Sequence, residues 1–416
     1  MKKTILLTNI KKLYGYYDHT PAIKKGVLMN DVSVMENAWL LIENGIIISA
    51  GTMPADNQSI QNADEIVDCS GRMVFPGFCD SHTHSVFAEW RQSEFIMKLK
   101  GKSYEEIARN GGGILNSAKK LQRASEDDLF EMARQNLYRM AMSGTTSFEI
   151  KTGYGLTPDA ELKMIRVINR LKNETPFHIK STLLAAHAVP EEYKHCPDDY
   201  VDVIINEILP AAAENHKVDF IDVFCEKGFF SPDQTDKILE AANSWNLPAK
   251  IHVNQFHSTG GINVAVKHNA LSVDHLEVMT PEDIEVLSQS KTIATVLPLC
   301  SLFLKIPFSP VKQLIEKDIP LAIATDFNPG SAPSGNMLLA FSIACIYYNI
   351  LPEVVLNATT INGSYAMQSH ALTGCFSPGK RADLWISTPL NDLADLAYRM
   401  GHPLVWKVMA GGLWIR

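Results

Sequence analysis

The chain has 416 residues, 46% hydrophobic and 20% charged, with a formal net charge of -8, which suits a globular protein built on one large barrel with an accessory piece. An acidic balance without a Lys/Arg run gives no phosphate track, so nucleic acid is excluded as a partner, and no apolar run approaches a membrane span. The seven cysteines are scattered with no Cys-x-x-Cys pair, so neither a disulfide framework nor a thiolate zinc site is expected and a cytoplasmic protein is.

Residues 1–74 read as short strands and turns, clearest at 38–42, 45–51 and 65–68, and form the first part of a small β domain. From Val74 the texture changes to apolar β runs alternating with amphipathic helical segments. Eight strand candidates lie near 75–82, 145–151, 177–187, 218–226, 249–254, 271–275, 292–298 and 321–326. Three of the helices between them have legible starts. Thr157 stands before Pro158 as a cap, Ser231 with Gln234 has the form of a capping box, and Thr280-Pro281-Glu282-Asp283 is a third start. Eight strands, each followed by a helix, predict an α/β fold, a (β/α)8 TIM-like barrel over 75–367. The apolar segment 337–347 suits the barrel shell, with a homodimer contact as the alternative. Residues 368–416 return to strand and turn and are expected to join the N-terminal strands in one small β-sandwich-like domain.

Active sites of such barrels form at the carboxyl ends of the strands. The first strand ends Asp80-Ser81-His82-Thr83-His84, where residues two apart face one side and bring two imidazoles to one point. A lone His-x-His is also found as ordinary strand-end polar residues. Here the pattern recurs: the third strand ends in His187, the fifth carries His252, the sixth ends in Asp274-His275 and the eighth in Thr325-Asp326. Three histidines and a carboxylate make an N/O site for one zinc or iron ion with a position left for water. His82, His84, His252 and Asp326 are the expected ligands. Such a metal lowers the pKa of its water from about 15.7 to roughly 7. Asp326 doubles as a base beside that water, and His275 is placed to polarise a carbonyl or shuttle a proton. The blander alternative for His275 is a buried, hydrogen-bonded core histidine.

This constellation resembles the amidohydrolase superfamily, with its His-x-His after strand one, histidines on strands five and six, and aspartate on strand eight. The resemblance narrows to the imidazolonepropionase family over nearly the whole chain. It is carried by His82-Thr83-His84-Ser85-Val86-Phe87-Ala88 with Arg91, by Gly111-Gly112-Gly113-Ile114, and by Lys151-Thr152-Gly153-Tyr154-Gly155-Leu156. Ala185-Ala186-His187-Ala188-Val189-Pro190 and Thr325-Asp326-Phe327-Asn328-Pro329-Gly330-Ser331 complete it. The resemblance implies hydrolysis of the ring amide of 4-imidazolone-5-propanoate to N-formimidoyl-L-glutamate by metal-activated water. Two-metal members carry a carboxylated lysine at the end of strand four. Here that strand ends Phe224-Cys225-Glu226-Lys227, so one metal is expected.

The resemblance also implies binding roles for Arg91, Tyr154, His187, Asn328, Gly330 and Ser331. Arg91 would fork onto the propionate, Tyr154 and His187 would donate toward the ring and its carbonyl, and Asn328 with the Gly330-Ser331 backbone would hold carboxylates of the product. One position departs. Some members have a glutamate three residues after the strand-five histidine, whereas this chain has Gln255, and a carboxamide takes no proton. Asp326 and His275 are therefore expected to carry the proton transfers, with Gln255 positioning only. The rivals are a related amidohydrolase or aminohydrolase acting on another heterocycle, which Arg91 with Tyr154 argues against, and an inactive barrel scaffold, which the intact ligand set argues against.

Overall fold

A computed structural model describes residues 3–102, 106, 112–214 and 217–415. β1 (Thr4–Tyr14), β2 (Val34–Glu43) and β3 (Ile46–Thr52) form an antiparallel meander. A bulge between Leu7 and Ile10 bends β1. Its other edge then takes two short parallel strands in succession, β4 (Glu65–Asp68) and β5 (Met73–Pro76). The C-terminal strands β14 (Leu384–Ser387), β15 (Val405–Ala410) and β16 (Leu413–Trp414) extend the same sheet from β5. Both ends of the chain thus share one continuous mixed sheet of eight strands. Ile5, Leu7, Ile10 and Leu13 of β1 bury against Leu40, Ile42, Leu384 and Ile386 to form its core.

The barrel strands run parallel and in chain order: β6 (Phe78–Thr83), β7 (Thr145–Lys151), β8 (His178–Ala186), β9 (Phe220–Cys225), β10 (Ala249–Val253), β11 (Ser272–His275), β12 (Ile293–Val296) and β13 (Leu321–Ile323). The ring closes where Thr83 bridges to Phe327. The buried Asp80 carboxylate reinforces that seam by accepting from the Thr325 N–H at 3.0 Å and its hydroxyl at 2.6 Å. The strand expected over 75–82 is divided at Gly77. Phe75 and Pro76 pair with β14, and Phe78 onward belongs to the barrel. A side chain at Gly77 would meet Thr146 Oγ1 at 2.0 Å, so only glycine lets the chain pass from sheet to barrel there.

The expected helix starts are present. Thr157, Ser231 and Thr280 cap helices Pro158–Glu174, Pro232–Asn243 and Pro281–Ser288, the last two as reciprocal capping boxes. Helix Met337–Tyr348 packs into the barrel shell through Met337, Ala340, Phe341 and Ala344, leaving Ile346 and Tyr347 exposed. All seven cysteines are free thiols. Among the described residues no helix is long and apolar enough to cross a membrane.

Candidate active site

The carboxyl ends of β6, β10, β11 and β13 bring His82, His84, His252, His275 and Asp326 together, each at most 3% exposed. Asp326 Oδ1 lies 3.5 Å from His82 Nε2 and 3.6 Å from His84 Nε2, and the Nε2 atoms of His84 and His252 face each other at 3.4 Å. Burial holds all three of these imidazoles well below their usual pKa, so they are neutral. His82 donates from Nδ1 to Asp274 at 2.6 Å, which leaves its Nε2 with a lone pair and no partner. The unpartnered His82 Nε2, the facing Nε2 atoms of His84 and His252 and the Asp326 carboxylate oxygen thus converge on one place. His82, His84 and Asp326, and likewise His82, His252 and His275, have ligand atoms within 4.8 Å of one another. These donors suit a zinc or iron ion.

Behind the histidines lies a buried ionic network. Lys151 donates to Glu149 and Asp222 at 2.7 Å each and stands 3.5 Å from Asp274, all with fully buried side chains. Lys250 donates to Glu149 and to the Ser81 carbonyl. Asp274 orients His82, and Asp222 Oδ2 lies 3.0 Å from His252 Nδ1, close but off the line of a hydrogen bond. One lysine thus ties together the two carboxylates that address two of the imidazoles from behind. Sequence reasoning missed Asp222, Lys151 and the role of Asp274. The available signal is a lone charge inside an apolar parallel strand, as in Phe220-Ile221-Asp222-Val223-Phe224.

His275 sits on a strained turn, with φ 90° at His275 and 66° at Leu276, each costing about 1–3 kcal/mol in a non-glycine residue. Its Nδ1 faces Glu277 Oε2 at 3.5 Å. Burial alone would lower its pKa, but Glu277 overrides that and raises it. Asp326, also at positive φ (54°), is pushed up to about 6 chiefly by burial. Gln255 is buried and donates to Cys300 Sγ at 3.4 Å. Glu226 is turned elsewhere, accepting from the N–H groups of Lys227, Phe256 and His257.

A cavity of about 410 Å³ is lined by Trp90, Arg91, Phe95, Lys98, Phe303 and Gly330, among others. Arg91 donates from Nε to Ser117 Oγ at 2.8 Å, while its Nη2 is buried without a partner. Its guanidinium stands 5.5 Å from the Tyr154 ring. The loop bearing Tyr154 is held by the buried Glu161 carboxylate, which accepts from the N–H groups of Gly153, Gly155 and Leu156.

Two expectations change. The Nδ1–H of His187 goes to the Gly153 carbonyl at 2.9 Å and burial holds its pKa down to about 4. The ring therefore presents an acceptor nitrogen, not the donor expected. The N–H groups of Gly330 and Ser331 both donate to Asn328 Oδ1, at 2.8 and 2.7 Å. They can hold a carboxylate only when Asn328 releases them. Gly113, at φ 84°, opens helix Gly113–Arg123, and Gly111 lies outside the described residues.

Residues 73–415 match the amidohydrolase family. The chain is 48% identical to the imidazolonepropionase of Christiangramia forsetii over 98% of its length and 99% of the relative's. It is 46% identical to that of Flavobacterium johnsoniae over 98% of both chains, and 37% identical to that of Alkaliphilus oremlandii over 99% and 98%. Among solved structures, E. coli guanine deaminase shares the fold with a TM-score of 0.75 at 15% identity, covering 100% of this chain and 99% of its own. An adenosine deaminase from Xanthomonas campestris with bound zinc gives 0.69 at 15%, covering 99% and 92%. The chain belongs to the amidohydrolase family and, within it, to the imidazolonepropionases.

Proposed function

We propose that the protein hydrolyses the ring amide of 4-imidazolone-5-propanoate to N-formimidoyl-L-glutamate, using one zinc or iron ion held by His82, His84, His252 and Asp326. The observation that carries the substrate is Arg91. Its buried, unpartnered Nη2 at the cavity wall is a cation held ready for an anionic side arm in a chain of net charge -8. A neutral purine or pyrimidine would leave it unsatisfied. With Glu226 engaged elsewhere, a single metal is the simpler expectation. A bound metal supplies Lewis-acid polarisation of the ring carbonyl and acidifies water.

The chain's own residues do the rest. The Arg91 fork fixes the propionate and Tyr154 flanks the ring, while His187 accepts from a ring N–H. Water adds its oxygen to the carbonyl carbon as the carbon–nitrogen bond breaks. Asp326 takes the proton from that water and passes it to the departing ring nitrogen. His275 relays that proton on its way through the lone pair of its Nε2. Gln255 orients water or substrate. Asn328, Gly330 and Ser331 receive the new carboxylate once Asn328 releases its loop bonds.

The test compares the propanoate with the same ring carrying a propanamide arm. A loss of about 10- to 100-fold in kcat/KM for the amide, abolished in Arg91→Ala, is expected for a charge-assisted contact. Equal rates on both rings would defeat the assignment of Arg91, and faster turnover of a purine would defeat the substrate.

A further inference from the structure

We infer that Glu277 is the positioning residue of His275: its carboxylate holds the ring at Nδ1, so that the lone pair of Nε2 is the one offered to the proton in transit. This rests on the function proposed above, in which His275 relays a proton.

The Glu277 side chain is fully buried, where an unsatisfied carboxylate oxygen is costly. Oε1 accepts from Ser301 Oγ at 3.0 Å. Oε2 has no donor, and His275 Nδ1, 3.5 Å away, has no partner either. Two buried orphans that face each other satisfy one another once the ring carries its proton on Nδ1. The backbone supports that approach. Consecutive left-handed residues, His275 and Leu276, set the turn between them. It is pinned by Ser309 Oγ donating to the His275 carbonyl at 2.8 Å and by the Leu276 N–H donating to Val253 O at 3.2 Å. Two strained positions in succession, each held by outside contacts, mark a conformation that its surroundings impose.

The arrangement repeats the one behind His82, where Asp274 takes Nδ1 and leaves Nε2 for the centre. No such carboxylate serves through Gln255, whose carboxamide carries no transferable proton and whose Nε2–H is spent on Cys300 Sγ. The His275–Glu277 pair is therefore the carboxylate–imidazole unit on this wall of the site, and Glu277 acts through His275 without touching substrate.

The experiment is a double-variant cycle of Glu277→Met and His275→Asn, with Glu277→Gln as the conservative control, since its carbonyl still accepts from Nδ1–H. Glu277→Met should lower kcat about 10- to 100-fold, the usual scale for an orienting partner, with KM and metal content unchanged. Glu277→Gln should recover most of the loss, and Glu277→Met should add nothing in the His275→Asn background. A substrate-independent reading comes from 15N-histidine NMR, in which Glu277→Met should alter the tautomer signature of His275 while Glu277→Gln preserves it. Wild-type kcat in Glu277→Met, an equal further loss in His275→Asn, or loss of bound metal each overturns the inference. Wild-type kcat in His275→Asn overturns the role of His275 and this inference with it. An unchanged His275 tautomer in Glu277→Met overturns the inference whatever the substrate proves to be.

Discussion

Asp274→Asn is the most informative single substitution behind the proposed metal centre. The carboxylate accepts from His82 Nδ1 and from Ser272 Oγ, both at 2.6 Å, and lies 3.5 Å from the Lys151 ammonium. Asparagine keeps the volume and can still offer a carbonyl to Nδ1, but it removes the charge. A hydrogen bond to a charged group contributes about 1.5–3 kcal/mol, against about 0.5–1.5 for a neutral one. The His82 tautomer with its lone pair on Nε2 thus loses on the order of 1–2 kcal/mol of preference. Converted to affinity, that is about 5- to 30-fold, which overlaps the 10- to 100-fold range typical of partners behind metal-bound histidines. The assay is chelator-competition titration of metal-free protein with Zn²⁺ and with Fe²⁺, alongside a thermal melt to confirm folding. Metal affinity within twofold of wild type, in a protein that still folds, would refute the claim that Asp274 sets His82 for a metal.

Three further outcomes follow from the same geometry. Lys151→Met leaves Glu149 and Asp222 buried without their shared cation and should cost about 3–5 kcal/mol in urea unfolding; a loss under about 1 kcal/mol would show the network to be dispensable. Gly330→Ala places a methyl 2.4 Å from Arg91 Nη1, so it should displace the fork and raise KM about tenfold with kcat little changed, and an unaltered KM would separate Arg91 from substrate binding. Burial alone would raise the pKa of Asp219, but Lys172 and Lys180 hold it down to about 2. A carboxylate depressed in the folded state stabilises above its unfolded pKa near 4 and loses that contribution as pH falls toward 2. Asp219→Asn should therefore be about 2 kcal/mol less stable at neutral pH, with the gap closing in acid; a gap that is constant with pH would refute the linkage.

The barrel was legible because parallel strands buried on both faces read as apolar runs; β7 occupies 145–151 as expected, and the others differ mainly at their ends. The eighth strand, expected over 321–326, stops at Ile323, beyond which the Thr325 N–H and hydroxyl go to the Asp80 carboxylate instead of a neighbouring strand, a long-range contact that hydrophobic pattern does not encode. The strand-end histidines and Asp326 were found by position alone. Their supporting cast was not, since Lys151 and Asp222 are 71 residues apart and meet only when the barrel closes. Asn328 illustrates a different limit. The family resemblance implied a ligand contact, but its side chain is occupied with its own loop, and local side-chain bonds of that kind compete with any ligand.

The most direct measurement is ring opening of 4-imidazolone-5-propanoate, followed by ultraviolet absorbance with the product identified by mass, for metal-replete, chelator-stripped and reconstituted protein. Turnover to N-formimidoylglutamate that disappears on stripping and returns with about one equivalent of Zn²⁺ or Fe²⁺ per chain is expected of a single site of this kind. Full turnover by metal-free protein, or none by protein holding one metal per chain, would contradict it.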